Sequence, residues 1–211
     1  MKIIKKFEQY QVKQKCYCFR VIKFPPIEKL WLYDAHPSES TYDAQGNITG
    51  MHALAEALIT ALYVPNSIIF LPINKDSTTY NMVLSGREIE GFRPSVWYKI
   101  KPHLNNHSKV NDFKLSYDTE KLIKYIEREL EKEPSWQWKI DLKYFCQKEL
   151  GDTIFCKYSK NDILRFILGI FSAIKSVEDG AVSSGWGLGW CLSDDMVDNY
   201  NKGVMDTYDN W

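Results

Sequence analysis

Residue types that can do chemistry are present in this chain, but their spacing is not diagnostic. Asp34 and His36 are one residue apart, Glu39 follows, and Cys16 and Cys18 form a C-x-C pair. A catalytic set can be drawn from distant parts of a sequence, so these residues suggest a dispersed Cys/His/Asp site. Neither G-x-S-x-G nor a cysteine-protease signature accompanies them. A small hydrolase-like enzyme is therefore the alternative function, and we predict no catalytic residues.

Two other motifs are weaker still. His103 and His107 stand four residues apart, but the intervening Leu-Asn-Asn favours a loop over a helix that would align two metal ligands. Gly185, Gly187 and Gly189 lack the third spacing of a dinucleotide-binding fingerprint, and tryptophans interrupt them. We predict an aromatic contact loop there. The sequence predicts no metal site and no cofactor.

Charge is distributed unevenly along the chain, although 27 basic residues balance 27 acidic ones. Residues 1–24 carry seven Lys or Arg against one acid, Glu8, whereas residues 177–211 carry seven acids against one base, Lys202. A general nucleic-acid binder would show a basic excess, so the zero net charge argues against that class.

The acidic segment also contains aromatic residues, which are scarce in disordered tails. Carboxylates steer a basic partner to a surface, and rigid rings supply contact area. Scattered aspartates that only solvate a chain end are the simpler interpretation. The candidate partner-binding residues are Asp194, Asp195, Asp198, Asp206, Asp209, Trp186, Trp190, Tyr200 and Trp211.

The basic segment has three interpretations. Its lysines alternate with Phe7, Tyr10, Tyr17 and Phe19, a mixture that occurs in proteins that bind single-stranded nucleic acid. It also fits a strand whose outer face carries lysines that discourage edge pairing. In the third interpretation the segment pairs with the acidic segment, within one chain or in a dimer.

The elements that must position these residues follow from hydrophobic periodicity and turn residues. Predicted strands cover residues 15–24, 30–34, 67–73, 78–85, 95–101 and 152–158. Predicted helices cover residues 51–64, capped by Thr49, and 118–132, 138–150 and 160–177, the last opened by a Ser159-x-x-Asp162 capping box. Residues 36–50 and 102–112 are predicted loops, and residues beyond 178 are predicted to be largely irregular.

This order of elements predicts an α+β fold, with a mostly antiparallel sheet from the N-terminal half and helices from the C-terminal half packed on it. We predict one domain over 1–211: a strand-rich part (1–101), a helix-rich part (118–177) and an acidic aromatic segment (178–211). The apolar stretch 163–174 is too short to span a bilayer and predicts a core helix. Five cysteines and a basic N-terminus with no apolar stretch behind it favour reduced thiols in a cytoplasm and no signal peptide.

These observations together favour a binding protein over an enzyme. The specific hypothesis is a bacterial immunity protein that neutralises a basic, nuclease-like toxin through its acidic aromatic surface. We expect a basic protein partner and neither a membrane nor a nucleic acid. The sequence leaves the oligomeric state open.

Overall fold

The computed structural model describes residues 2–27, 30–36, 41–73, 81–105, 107–132, 146–178 and 186–187, with backbone alone for 31–36, 41–46, 146–149, 176–178 and 186–187. The strands are β1 (Lys2–Gln14), β2 (Tyr17–Lys23), β3 (Leu30–His36), β4 (Thr41–Gly46), β5 (Ile68–Leu71), β6 (Asn81–Ser85), β7 (Lys109–Asp118), β8 (Cys146–Leu150), β9 (Thr153–Lys157) and β10 (Trp186–Gly187). The helices are α1 (Ile48–Tyr63), α2 (Pro94–Ile100), α3 (Thr119–Leu130) and α4 (Lys160–Glu178).

Two sheets organise the described residues. The larger has seven strands in the order β7-β1-β2-β5-β6-β9-β8, and the smaller has the order β10-β4-β3. Neighbours in the larger sheet are antiparallel except for the β2–β5 and β6–β9 pairs, which are parallel. The predicted α+β fold with a mostly antiparallel sheet is confirmed.

The large sheet is buried on both faces at its centre. Every residue of β5, β6 and β9 is buried, as expected for strands covered on both sides. One face packs against α1, α3 and α4 and forms the main core, which includes Leu58, Ile126 and Ile167. Burial of this apolar area from water is the main stabilising contribution.

A second, smaller core lies on the opposite face under α2. Trp97 is fully buried there and packs edge-on against Phe70, with ring centroids 4.9 Å apart. Tyr10, Val12 and Phe19 of the β1–β2 hairpin belong to the same cluster. Helix α2 therefore covers only one end of β1 on this face.

Side-chain caps explain where the helices begin. The Asn47 side chain accepts a hydrogen bond from the Gly50 amide at the start of α1, so the cap is Asn47 and the predicted Thr49 cap is wrong. Asp118 caps α3 through the Lys121 amide. The predicted capping box at α4 is confirmed, because the Asp162 amide donates to Ser159 Oγ at 3.2 Å.

Helix α2 corrects the predicted strand over residues 95–101. Val, Trp and Tyr favour a strand, but Pro94 occupies the first helical turn and Trp97 and Ile100 are both buried. Their three-residue spacing puts them on one helical face, which seals the second core. Tertiary burial thus overrides the local strand propensity.

Three other predicted elements are also corrected. The predicted loop over 102–112 includes the start of β7, whose exposed polar residues give no alternating apolar signal. The predicted loop over 36–50 contains β4 and the start of α1. The last five residues of the helix predicted over 138–150 form β8, which turns at Gly151 (φ +59°) into β9; residues 138–145 lie outside the described part.

The strand predicted over residues 15–24 begins only at Tyr17. Lys15 has a left-handed backbone (φ 55°) and forms, with Cys16, the two-residue turn between β1 and β2. None of the helices in the described part of the chain has the length and apolar character needed to cross a membrane. Residues 179–185 and 188–211 lie outside the description, so the predicted irregular end stays a prediction.

Gly86 provides a test of the packing between β6 and α1. A β-carbon at this position would lie 2.5 Å from the carbonyl oxygen of Ala61, a backbone atom of α1. We expect Gly86→Ala to lower the free energy of unfolding by about 1–3 kcal/mol, because the helix backbone must shift. Urea denaturation measures the change, with Gln11→Ala at an exposed position of β1 as the control. An unchanged or increased stability would contradict this packing, since Gly→Ala at an unstrained site usually stabilises.

Candidate interaction surface

The structure locates few of the predicted partner-binding residues. Trp186 lies in β10, where it pairs with Ala44 of β4. The other eight lie outside the described residues: Asp194, Asp195, Asp198, Asp206, Asp209, Trp190, Tyr200 and Trp211. Their role in partner binding stays a prediction.

The residues of the alternative hydrolase site are divided between the two sheets. Cys16 in the β1–β2 turn and Cys18 in β2 are exposed on the large sheet, whereas Asp34 and His36 lie in β3 of the small one. Cys156 is buried in the main core. No described contact brings this set together.

The histidines are similarly separated from one another. His103 lies in the 3₁₀ turn after α2 and His107 in the loop that follows it. His52, on α1, packs against the Phe171 ring of α4 with centroids 6.1 Å apart. Within the described ranges, no group of three His, Cys, Asp or Glu side chains is arranged to hold a metal ion. The glycine motif is described only at Gly187, in β10.

An open part of the large sheet offers a more specific surface. Lys2, Ile4 and Lys6 of β1 and Lys114 and Ser116 of β7 are all exposed, with Ile4 51% accessible. We call these five residues the basic sheet face. They lie on the side of the sheet that carries α2, at the end of β1 that α2 does not cover.

Side-chain alternation explains why these residues face outward. Phe7 points into the main core, where it stacks on Phe24 with ring centroids 3.8 Å apart. Leu115 and Tyr117 of β7 are buried in the same core. Because consecutive strand residues point to opposite faces, Lys6, Lys114 and Ser116 must project from the other side.

The basic sheet face contains a like-charge pair. Lys6 and Lys114 are directly opposite in the antiparallel β1–β7 register. Directly opposed side chains have β-carbons roughly 4.5–5.5 Å apart, and like charges at that position are destabilising. Among the described residues, neither lysine has an ion-pair partner, and nor does Lys2. In the same register Lys2 lies opposite Asp118, so the like-charge pair of Lys6 and Lys114 is the uncompensated part of the face, next to the exposed Ile4.

The neighbouring lysines are neutralised, which sets the limit of this face. Glu8 lies on the same side of β1 and accepts hydrogen bonds from the Tyr10 hydroxyl (2.7 Å) and Lys109 Nζ (3.2 Å). Lys23 Nζ is 3.7 Å from the same carboxylate, and Lys109 also contacts Asp112 at 3.4 Å. The Tyr10 hydrogen bond is the main cause that lowers the pKa of Glu8.

A buried carboxylate neutralises another lysine of β1. Glu56 of α1 is buried, and its carboxylate lies 3.5 Å from Lys5 Nζ and accepts a hydrogen bond from the Tyr117 hydroxyl at 3.3 Å. Burial, then the charge of Glu56, raises the pKa of Tyr117. Lys5 therefore contacts a carboxylate of α1, whereas Lys6, one residue later, faces solvent.

The sequence identified only part of this surface. Lys2 and Lys6 belong to the basic segment that the charge count singled out, but Lys114 comes from β7, in a stretch whose first residues were predicted as loop. The register that opposes Lys6 and Lys114 joins residues more than a hundred positions apart. The one sequence signal for this strand was the alternation of apolar and polar residues after Asp112, from Phe113 to Asp118.

Comparison of this chain with protein families, with curated proteins and with solved structures finds no match.

Tyr10 provides a pH test of the boundary network. Burial, strengthened by the Glu8 carboxylate, raises the pKa of Tyr10 from about 10 to about 12. The neutral phenol is favoured in the folded state, so its contribution to stability is complete below pH 10 and is lost as the pH rises through 12. We expect Tyr10→Phe to remove one late phenolate step from the ultraviolet absorbance titration. Glu8→Gln should move that step to lower pH, and an unchanged late step in both variants would contradict the network.

The like-charge pair can be measured with a double-mutant cycle. Because Lys6 and Lys114 repel each other, Lys6→Ala should be more favourable in the native background than in the Lys114→Ala background. The expected coupling is about 0.2–1 kcal/mol at low salt and should vanish in roughly 1 M NaCl. Urea denaturation of the four proteins measures it. An attractive or salt-independent coupling would show that the register does not oppose the two charges.

Proposed function

We propose that this protein is a binding protein that inhibits a basic protein partner through its acidic aromatic segment, 178–211. In its specific form the proposal is a bacterial immunity protein that acts in the cytoplasm on a nuclease-like toxin. The observation that carries it is the seven carboxylates and the accompanying aromatic rings in residues 177–211. Such carboxylates match the charge of the phosphates that a nuclease groove binds.

The folded body supports this proposal as a scaffold. Helix α4 ends at Glu178, and Trp186–Gly187 pairs with β4, so the chain is tied to the small sheet just before most of the acidic residues. A tethered segment loses less conformational entropy on binding than a free one does. The aromatic residues Trp190, Tyr200 and Trp211 provide side chains of the kind that dominate protein interfaces.

The proposal predicts that three neighbouring aspartates are needed for inhibition. The full chain is immobilised, proteins retained from the host lysate are identified, and a retained basic nuclease is purified and assayed on plasmid DNA and RNA. We expect the full chain to inhibit cleavage. The variant Asp194→Asn/Asp195→Asn/Asp198→Asn should inhibit at least 10-fold less well, because charge pairs at a protein interface contribute strongly to binding.

A matched control removes the same charge from the body. Glu120 and Glu127 of α3 and Glu131, the residue that follows it, are exposed, so their triple change to Gln should leave inhibition unaltered. Circular dichroism checks that all variants fold. Equal inhibition by the aspartate variant, or retention of a partner without a basic surface, would refute the proposal.

A further inference from the structure

The basic sheet face is suited to an extended acidic ligand. Lys2, Lys6 and Lys114 are exposed and lack ion-pair partners among the described residues, and Ile4 between them is 51% accessible. The like-charge opposition of Lys6 and Lys114 costs stability, and an anion placed between them would remove that cost. Three cations around one apolar side chain match a segment that carries carboxylates and an aromatic ring.

The same chain contains a segment of this chemistry. Asp194, Asp195 and Asp198 lie between Trp190 and Tyr200, and the whole stretch 177–211 carries one base. The body provides the positive charge that this segment lacks. Charge complementarity within one chain therefore favours the acidic segment as the ligand of the basic sheet face.

The length of the chain is compatible with this occupant. Gly187 is fixed in β10, and the 24 residues that follow it could extend roughly 80 Å at about 3.3 Å per residue. A folded chain of this size is roughly 40 Å across. Because the segment belongs to the same chain, the contact is intramolecular, and an effective concentration on the order of millimolar makes weak contacts sufficient for occupancy.

Nucleic acid is a poorer match for the face. Proteins that bind single strands provide exposed aromatic rings on which bases stack. Here Tyr10 is buried under α2 and Phe7 is buried in the main core, so the aromatic residues of β1 do not reach this surface. The zero net charge of the chain also weakens attraction to a polyanion.

We propose that the basic sheet face binds the acidic residues of segment 188–211 of the same chain, through Lys2, Lys6 and Lys114. This contact goes beyond the proposed inhibition of a partner. It covers the acidic segment until a more basic surface competes for the same carboxylates. It is tested without any partner, so its failure would leave the inhibitor proposal standing, and the reverse also holds.

A zero-length cross-link measures this contact directly. A carbodiimide joins a lysine amine to a carboxylate only when the two are in contact, and mass spectrometry identifies the linked peptides. In the full chain we expect links from Lys6 or Lys114 to Asp194, Asp195 or Asp198. Links from Lys2 to the same aspartates should fall at least five-fold in the Lys6→Glu/Lys114→Glu variant, which keeps the Lys2 amine but removes the two neighbouring cations. All links should also fall in roughly 0.5 M NaCl.

The matched control reverses two lysines elsewhere on the body. Lys121 and Lys124 are exposed on α3, which packs on the opposite face of the sheet, so Lys121→Glu/Lys124→Glu should keep the links. Circular dichroism confirms that each variant folds. A mixture of ¹⁴N- and ¹⁵N-labelled protein tells whether each link joins one chain or two.

Three results would overturn the proposal. The first is a set of cross-links from segment 188–211 that omits Lys2, Lys6 and Lys114, or an absence of links from that segment. The second is links found only between differently labelled chains, which would make the occupant a second copy. The third is tight binding of a labelled single-stranded RNA that the Lys6→Glu/Lys114→Glu variant loses, which would assign the face to nucleic acid.

Discussion

Strand β1 is hydrogen-bonded along its first part to β7 and along its second part to β2, and the register of these two pairings positions the lysines of the basic sheet face. On one side of the strand, Phe7 enters the main core and Lys5 contacts the buried Glu56. On the other side, Lys6 faces solvent opposite Lys114. A shift of one residue would exchange these two faces, bury the free lysine and expose the phenylalanine. The apolar residues of β1 therefore fix the position of its free charges.

Helix α2 divides the second face of the sheet into a covered part and an open part. Trp97 and Ile100 cover the hairpin end of β1, where Tyr10 and Val12 are buried. Beyond the helix, the same face of the sheet is open and basic. One short helix therefore decides where the sheet is core and where it is surface. The Glu8 network with Lys23 and Lys109 lies at the boundary between the two parts.

The opposed lysines Lys6 and Lys114 in the open part destabilise the sheet, because like charges lie directly opposite each other. A sheet that served only as a scaffold would be better stabilised by opposite charges at the position of Lys6 and Lys114. Natural proteins tend to depart from the locally best choice at functional sites. The acidic segment carries the opposite charge in the same chain. A basic partner and the basic sheet face would compete for the same carboxylates.

Much of the fold could be predicted from local sequence. The helix over 118–132 was found because its apolar spacing is regular, and the strand over 152–158 because its residues are β-branched or aromatic and follow a turn. The α4 capping box was read from two residues, Ser159 and Asp162. The strand predicted at 95–101 was wrong because a buried face of a short helix and a short strand use the same residue types. β7 was partly missed because an edge strand carries polar residues.

The sequence by itself determined the fold class, the main helices and the separation of charge between residues 1–24 and 177–211, since each depends on composition or on spacing within a few turns. Only the tertiary structure decided which lysines are free. Lys5, Lys6, Lys23 and Lys109 are alike in sequence, but three of them contact carboxylates and Lys6 contacts none in the described structure. Strand register makes that distinction, and register depends on pairing between residues that are distant in the chain.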